Sequence, residues 1–249
     1  MNQTKISFCI ITNGNNEAGL SRVIKSILRS NLPDSEILVL GQSSLLEANV
    51  KFIDFNENEK SGWITRKKNL LAKVASGEIL IIMHDYIELD YGWNMSLQKS
   101  LLENDWEVAI PKIFNLDGTR YRDWLIWPHN GIYLDKYFSK TRRCLMPYTL
   151  NLVPDLMYVS GAFFMCKRQF FLSNTLDESL AWGEGEDVEW SKRVRDKWKL
   201  KVFRHCGVRL QKQKEVLFFE AGLFTIILVL SYSFASKIRR RFVRHPSLN

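Results

Sequence analysis

The amino-terminal third of the chain alternates between short apolar runs and segments with helical spacing of their apolar side chains. Two segments, 17–29 and 64–75, place apolar residues three or four positions apart, which predicts amphipathic helices. Four continuous apolar runs predict buried strands, at residues 6–12, 36–40, 50–55 and 78–83. Strands of this kind alternating with helices indicate an α/β fold with a mostly parallel sheet covered on both faces.

The remainder of the chain is less regular. Residues 94–103 and 186–197 have the spacing of helices, and residues 108–113 and 157–166 read as strands. Between them, residues 114–155 are aromatic and rich in turn-forming residues, with no clear period. Connections of that length in a compact domain are usually functional or mobile, so we expect part of a binding pocket there.

Length and cysteine placement bound the class of protein. With 249 residues and 46% hydrophobic composition, one core forms without disulfides or a structural metal. The four cysteines are far apart and form no C-x-x-C pair, which indicates a reducing compartment. The apolar run near the amino terminus is about seven residues long, too short for a signal peptide. We therefore expect a chain that is not secreted.

The excess of basic residues is concentrated at the carboxyl end. The formal net charge is +8, and five Lys and Arg residues with no acid follow from position 237 to the end of the chain. The rest of the chain is therefore close to balanced in charge. This distribution argues against a nucleic-acid-binding protein and favours a basic tail beside an anionic surface.

An apolar segment precedes the basic tail. Residues 217–235 carry one charge, Glu220, and the segment is borderline in length for spanning a bilayer. Basic residues lie on both sides of it, and the positive-inside tendency favours keeping both ends in the cytoplasm. We expect a helix lying in the cytoplasmic leaflet; a buried core helix or half of an oligomer interface is the alternative. The interpretation divides the chain into a domain, 1–212, and a membrane-associating extension, 213–249.

An acid stands at the carboxyl end of the apolar run 78–83. In open α/β sheets ligands bind beyond the carboxyl ends of the strands, so Asp85, which follows His84 there, is placed to meet a ligand. Magnesium and manganese bind oxygen ligands and often bridge a carboxylate to a diphosphate. Asp85 is therefore a candidate metal ligand; capping of the turn after the strand is the alternative.

A second acidic group lies at the start of a predicted helix. Glu186 and Asp187 follow Gly183 and Gly185, which allow a tight turn. The helix dipole favours negative charge at that position and tends to keep a carboxylate ionised, as a general base must be. Simple capping of the helix is the alternative explanation.

Several segments, in their order along the chain, resemble the family 2 glycosyltransferases. The family's Gly…Ala-Arg-Asn, Ala-x-Gly-Glu and Asp-x-Asp-like segments correspond to residues 62–69, 75–78 and 84–86. Its Gly-Gly-Ala…Arg, Phe-Asp-Glu and Glu-Asp segments correspond to SGAFFMCKR, LDE and GEDVE, at residues 160–168, 176–178 and 185–189. Each motif is short, but their shared order over about residues 5–210 makes the resemblance specific.

The resemblance implies a GT-A fold and an inverting transfer of a sugar from a nucleotide-diphosphate donor to a hydroxyl of a glycan or lipid-linked acceptor. It implies catalysis by Asp187 beside Glu186 and a divalent cation, Mn²⁺ or Mg²⁺, at Asp85. Either His205 or Gln211 would complete the metal site. The donor would contact Thr12, Asn13, Glu17, Lys68, His84 and Asp85. The acceptor would contact Trp182 and Gly161.

The chain also departs from the family. Residues 41–44 read Gly-Gln-Ser-Ser where the family has Asp-Asp-Gly-Ser, and His84 and Tyr86 occupy acid positions of the Asp-x-Asp motif. A non-catalytic relative that binds a nucleotide or glycan as a scaffold is thus a second hypothesis, although it leaves Asp187 without a purpose. A nucleotidyltransferase is a third, but residues 13–16 lack the glycine-rich basic loop expected there. With the apolar segment, the leading hypothesis is a membrane-associated enzyme of cell-surface polysaccharide or glycolipid synthesis.

Overall fold

The computed structural model describes residues 4–102, 105–126, 144–150, 156–215 and 218–243. The strands of its main sheet are β1 (Ile6–Ile11), β2 (Ser35–Leu40), β3 (Val50–Ile53), β4 (Ile79–His84), β5 (Ile87–Leu89), β6 (Val108–Phe114), β10 (Phe163–Lys167) and β11 (Leu200–Leu210). Those of a smaller sheet are β7 (Leu125–Ile126), β8 (Cys144–Leu145), β9 (Met157–Tyr158) and β12 (Phe219–Glu220). The helices are α1 (Glu17–Ser30), α2 (Ile64–Val74), α3 (Trp93–Leu101), α4 (Arg168–Leu172), α5 (Glu186–Val194) and α6 (Leu223–Val243).

Within the described ranges the main sheet has eight strands, in the order β3-β2-β1-β4-β10-β6-β11-β5. The strands β3, β2, β1 and β4 are all parallel, as the alternation of strands and helices predicts. Strand β10 enters antiparallel between β4 and β6, and β11 returns parallel to β6. The α/β class with a sheet flanked by helices is confirmed, and the antiparallel β10 makes the sheet mixed.

The central strands are buried on both faces, which explains why they are apolar throughout. In β1, Cys9 and Ile11 belong to the core on the side of α2, whereas Phe8 and Ile10 belong to the core on the side of α1 and α3. Side chains of a strand alternate between faces, so both cores need apolar residues from the same strand. The result is a sheet between two layers of helices. The carboxyl ends of the parallel strands β1 to β4 lie at the same edge of this sheet.

The carboxyl-terminal segment is attached to the domain by one face. Strand β12 pairs with β8, and Ala221 and Val229 are buried in the core on the α2 side. The opposite face of α6 carries several exposed apolar side chains. None of the helices in the described part of the chain combines the length and hydropathy that crossing a bilayer requires. The division of the chain at residue 212 stays a prediction.

Several boundaries differ from those predicted. The expected strand 157–166 is two strands in different sheets, because the chain turns at Ser160, whose carbonyl accepts the Phe163 N–H at 3.1 Å. Strands β5 and β11 were not predicted; polar residues interrupt β11, and its register shifts between Phe203 and Gly207. Within 114–155 the structure has β7 and β8, while residues 127–143 and 151–155 lie outside the described ranges.

Candidate active site

A cavity of about 680 Å³ opens at the carboxyl ends of β1 and β4. Four of the predicted donor-site residues, Thr12, Asn13, His84 and Asp85, line it together with Trp182. A larger cavity of about 820 Å³ lies at the other end of the same strands, and none of the predicted site residues lines it. Because ligands of open α/β sheets bind at the carboxyl ends of strands, the cavity beside Asp85 is the candidate donor site.

Asp85 is held in place by the neighbouring strand. Its Oδ2 accepts a hydrogen bond from the Thr12 hydroxyl at 2.7 Å, and its backbone N–H donates to the Ile11 carbonyl at 3.2 Å. Burial raises the pKa of the Asp85 carboxyl, against the Thr12 hydrogen bond and nearby lysines, which lower it. The Thr12 carbonyl in turn accepts from the Lys67 ammonium at 2.7 Å. The first strand therefore fixes both the carboxylate and a lysine beside it.

The two positions that flank Asp85 carry no negative charge. His84 is buried and hydrogen-bonds to the backbone of Gly161; burial, and then the positive charge of Lys68, hold its pKa well below the ordinary value. The ring of Tyr86 lies against that imidazole, with centroids 5.2 Å apart. A neutral imidazole and a phenol thus replace the outer acids of the motif.

The acidic pair Glu186 and Asp187 occupies the first turn of α5, after Gly185 in a left-handed conformation. Both residues are buried. The Gly161 N–H donates to Asp187 Oδ2 at 2.9 Å. A Cβ at Gly161 would lie 2.6 Å from Glu186 Oε1 and 3.2 Å from the Asp187 side chain, so a larger residue there would have to displace Glu186. Gly161 therefore supports the acidic pair, and its predicted contact with an acceptor stays a prediction.

Lys68 does not line the cavity and is buried beside the acidic pair. Its side chain is 1% exposed; the ammonium donates to the Gly161 carbonyl at 2.8 Å and lies 3.8 Å from Glu186 Oε1. Burial lowers the pKa of Lys68, whereas Glu186 and Asp187 raise it. Burial also raises the pKa of Glu186, against the attraction of Lys68. Lys68 thus compensates the charge of the acidic pair, and its predicted contact with the donor stays a prediction.

Arg122 lies beside the acidic pair and was not among the residues predicted from the sequence. Its Nη2 lies 3.7 Å from Asp187 Oδ2, and its backbone has a left-handed φ of 46°. Burial lowers the pKa of the Arg122 guanidinium, but the nearby Tyr158 and Asp187 outweigh it and raise that pKa overall. In the sequence, its position in the irregular segment 114–155, where we expect part of a binding pocket, was the indication of such a role.

A set of hydrogen bonds ties the segment before the acidic pair to α2. The Asn69 amide donates to the Leu176 carbonyl at 3.0 Å and to Glu178 Oε1 at 2.9 Å, and Arg66 Nη1 contacts Glu178 Oε2 at 2.6 Å. The Trp182 N–H donates to the Gly62 carbonyl at 2.8 Å. These contacts connect two of the resembling motifs and hold the Trp182 side chain, which is 72% exposed, at the rim of the cavity.

Glu17 supports a wall of the cavity without lining it. Its carboxylate accepts from the Ser44 N–H at 2.6 Å and from the Ser44 hydroxyl, and these hydrogen bonds lower the pKa of Glu17. Ser44 belongs to the segment after β2 that replaces the family's acidic motif, and Gln42 of that segment lines the cavity. Glu17 thus fixes the loop, and its predicted contact with the donor stays a prediction.

His205 lies apart from Asp85 in the irregular part of β11, is exposed, and does not line the cavity. Gln211 is closer, because its backbone N–H donates to the Tyr86 carbonyl at 3.0 Å. Among the residues that the structure describes, no three His, Cys, Asp or Glu side chains are grouped as a metal site. The structure therefore does not bring His205 and Asp85 together as the predicted pair of metal ligands.

No family model and no curated protein sequence matches the chain, whereas solved structures do match it. A crystal structure of GalNAc-T7 with UDP, GalNAc and Mn²⁺ matches 87% of this chain and 46% of its own, at 16% identity and a TM-score of 0.58. S. aureus TarS 1–349 with UDP-GlcNAc matches 85% and 60%, at 14% identity and a TM-score of 0.58. The chain has the GT-A fold. It spans less than two thirds of the length of each of these structures.

Proposed function

We propose that the protein is a glycosyltransferase that moves a sugar from a nucleotide-diphosphate donor to an acceptor hydroxyl with inversion at the anomeric carbon. One observation carries this proposal. In a GT-A fold, the cavity at Asp85 and the acidic pair at α5 meet through two neighbouring residues, His84 and Gly161. That arrangement supplies a place for a donor and a base beside it.

The donor would lie in the cavity with its nucleotide toward Asn13 and Gln42 and its diphosphate toward Asp85. UDP and UDP-GlcNAc in the solved structures favour a UDP-sugar as the donor. Trp182 stands exposed at the rim, where its ring offers an apolar face to a sugar. In this arrangement the anomeric carbon would lie on the side of His84 that faces Gly161 and the acidic pair.

Asp187 would act as the general base. The acceptor oxygen attacks the anomeric carbon, its proton passes to an Asp187 carboxylate oxygen, and the bond between that carbon and the diphosphate oxygen breaks. A single displacement of this kind inverts the configuration. The Gly161 N–H donates to Asp187 Oδ2, and the Arg122 guanidinium lies 3.7 Å from the same oxygen, so both groups hold the carboxylate in position.

One side chain of the cavity, Asp85, could bind a divalent cation. Mg²⁺ and Mn²⁺ commonly use one or two carboxylates and complete their shell with phosphate oxygens and water. Asp85 supplies one carboxylate, and its second oxygen is not engaged by Thr12. Mn²⁺ in the GalNAc-T7 structure supports the cation. Bound there, the cation would help to neutralise the departing diphosphate.

The test combines a panel of nucleotide sugars with membrane extract as acceptor and measures nucleoside diphosphate release. Asp187→Asn keeps the side-chain shape and removes the base, so we expect transfer to disappear while donor affinity stays nearly unchanged. Glu189→Gln is the matched control, because Glu189 pairs with Arg193 on the outer face of the same helix. Wild-type turnover in Asp187→Asn would disprove the mechanism and favour the scaffold hypothesis.

We further propose that the enzyme works at the cytoplasmic face of the cell membrane, on a glycan or lipid-linked acceptor, in polysaccharide or glycolipid synthesis. Helix α6 packs by Val229 on the domain, and its outer stripe carries exposed apolar side chains: Leu223, Phe224, Ile227, Phe234 and Ile238. Five basic residues follow in the sequence from residue 237. An apolar stripe next to basic residues suits an anionic lipid surface, at on the order of 1 kcal/mol per basic residue near that surface.

Flotation with vesicles of phosphatidylglycerol and phosphatidylcholine tests this location. Replacing the outer stripe by Leu223→Ser, Ile227→Ser and Phe234→Ser should abolish flotation and leave the core intact, because all three side chains are exposed. The control replaces three exposed apolar residues of other surfaces, Leu46, Met95 and Leu102. Equal flotation of the stripe variant and the control would refute the membrane proposal.

A further inference from the structure

The segment after β11 presents two lysines to the candidate donor cavity. Lys212 and Lys214 line the cavity, whereas the residues that alternate with them are tied to the protein. Gln211 donates from its backbone to Tyr86 and from its side chain to the Gly19 carbonyl at 2.8 Å. Gln213 Nε2 donates to an Asp117 carboxylate oxygen at 2.9 Å. The alternation fixes the backbone and leaves both lysine side chains directed to the cavity.

Lys214 is partly buried between two aromatic rings. Its ammonium lies 4.2 Å from the ring centroid of Tyr86 and 5.5 Å from that of Tyr121. No carboxylate within the described ranges forms an ion pair with it. Burial, and then the positive charges of Arg122 and Lys212, lower the pKa of Lys214. A cluster of cations that repel one another in a cavity gains stability when an anion binds.

The acids near this cluster are fewer than its cations. Three lysines and two acids line the cavity among the residues that the structure describes, and one of those acids, Glu57, already forms an ion pair with the third lysine, Lys67. Asp85 is then the one carboxylate left to face Lys212 and Lys214 among the described residues lining the cavity. A metal site built around two or more acids would show the reverse balance.

We infer that Lys212 and Lys214 bind the diphosphate of the donor directly, so that a nucleoside diphosphate or pyrophosphate binds without a divalent cation. The inference rests on the proposed function for the identity of the ligand and adds the residues that neutralise its leaving group. The lysines supply positive charge where the motif has lost its outer acids. A cation at Asp85 would add to this charge and is not needed for binding.

The experiment measures binding of inorganic pyrophosphate and of UDP to the full chain by calorimetry, once in EDTA and once with Mn²⁺. We expect wild-type binding in EDTA, weakened by added salt because the contacts are ionic. Lys212→Met with Lys214→Met should weaken binding in EDTA by about tenfold or more, since loss of a hydrogen bond to a charged group lowers an equilibrium constant by about that factor. Lys25→Met, on the exposed face of α1, is the matched control and should bind as wild type.

Asp85→Asn separates the two sources of positive charge. If lysines bind the diphosphate, removing the Asp85 charge leaves binding in EDTA unchanged or tighter; if a metal is required, it removes binding in Mn²⁺. The inference would be overturned if wild-type protein bound pyrophosphate and UDP only when Mn²⁺ is present. It would also be overturned if Lys25→Met lost as much affinity as the double lysine variant. Failure of the proposed function has another signature, in which both ligands bind in EDTA but no sugar is transferred.

Discussion

The lysine-lined cavity and the acidic pair lie on either side of His84 and Gly161, but the fold holds them differently. Lys212 is exposed and Lys214 is partly buried, both on flexible stems. Glu186 and Asp187 are 7% and 8% exposed and are fixed against a glycine. Binding an anion tolerates this freedom because Coulomb attraction falls slowly with distance, whereas proton transfer requires hydrogen-bond reach. Mobile lysine side chains are therefore sufficient to bind the donor, whereas the general base has to be held rigidly by its neighbours.

Two adjacent lysines of α2 contact different regions, one the cavity and the other the acidic pair. Lys67 lines the cavity and pairs with Glu57, while Lys68 turns inward to Gly161 and Glu186. Consecutive residues of a helix point about 100° apart, so one helix can serve both sides. The comparison predicts that substitutions around the acidic pair cost more than substitutions at the rim of the cavity.

The largest effect is expected from Lys68→Met. Removing the ammonium leaves Glu186 buried beside Asp187 without its cation, which should lower the free energy of unfolding by about 3 to 5 kcal/mol. Urea denaturation measures the loss. Lys73→Met, at an exposed position of the same helix, is the control and should change stability by less than about 0.5 kcal/mol.

The pH dependence of the stability loss in Lys68→Met tests whether Glu186 is the partner of Lys68. Burial already holds the pKa of Glu186 above its ordinary value, so its contribution to stability is present at low pH and is lost as pH rises through the folded-state pKa. Without Lys68 that pKa rises further, so the deficit of Lys68→Met should be smaller near pH 5 than near pH 8. A deficit that is the same at both pH values would show that Glu186 is not the partner.

A smaller effect is expected from Gly161→Ala. The added Cβ would lie 2.6 Å from Glu186 Oε1 and displace the acidic pair, and misplacement of a catalytic group by about 1 Å can cost on the order of 100-fold in rate. Turnover should fall by that order while UDP affinity changes little. Gly222→Ala is the control, because no atom of the described residues lies within 4 Å of a Cβ there. Loss of UDP binding in step with turnover would place Gly161 at the donor instead.

The smallest effect is expected from Trp182→Ala at the rim. Its ring is 72% exposed, so stability should change by less than about 0.5 kcal/mol. If the ring supports a sugar, KM for a sugar substrate should rise by a factor of about 2 to 12, matching about 0.5 to 1.5 kcal/mol for an aromatic contact. Steady-state kinetics at saturating and limiting substrate separate KM from kcat. An unchanged KM for both substrates would leave Trp182 without a binding role.

The sequence predicted the half of the fold whose signals are local. Strands β1 and β4 are buried on both faces, so their apolar runs are unbroken, and the acids Asp85 and Asp187 fall at recognisable motif positions. Strand β11 was missed because half-buried polar residues and a register shift interrupt its pattern. Its identification requires knowledge of its partner β6, which lies far away in the sequence.

The site residues that could not be predicted from the sequence depend on contacts between distant segments. Lys214 faces Tyr86 from the other half of the chain, and Arg122 reaches Asp187 from a segment without a period. Lys68 was expected to contact the donor because of its motif position, and its contacts with the acidic pair could not be predicted from that position. The carbonyl of Gly161, far along the chain, is what draws its ammonium inward. Charge alone does not distinguish Lys67 from Lys68 in the sequence.

The antiparallel strand β10 has a consequence for how the chain folds. Strands β1 to β4 come from the first third of the chain and pair with one another, whereas β10 must insert between β4 and β6 from residues 163–167. Contacts of high sequence separation form slowly because a long loop must close first. We therefore expect the parallel half, which ends at Asp85, to form early during synthesis, and the segments after β10, which carry the acidic pair and then Lys212 and Lys214, to join it later. The molecule would hold Asp85 in place before it acquires either its base or the two lysines that face the donor.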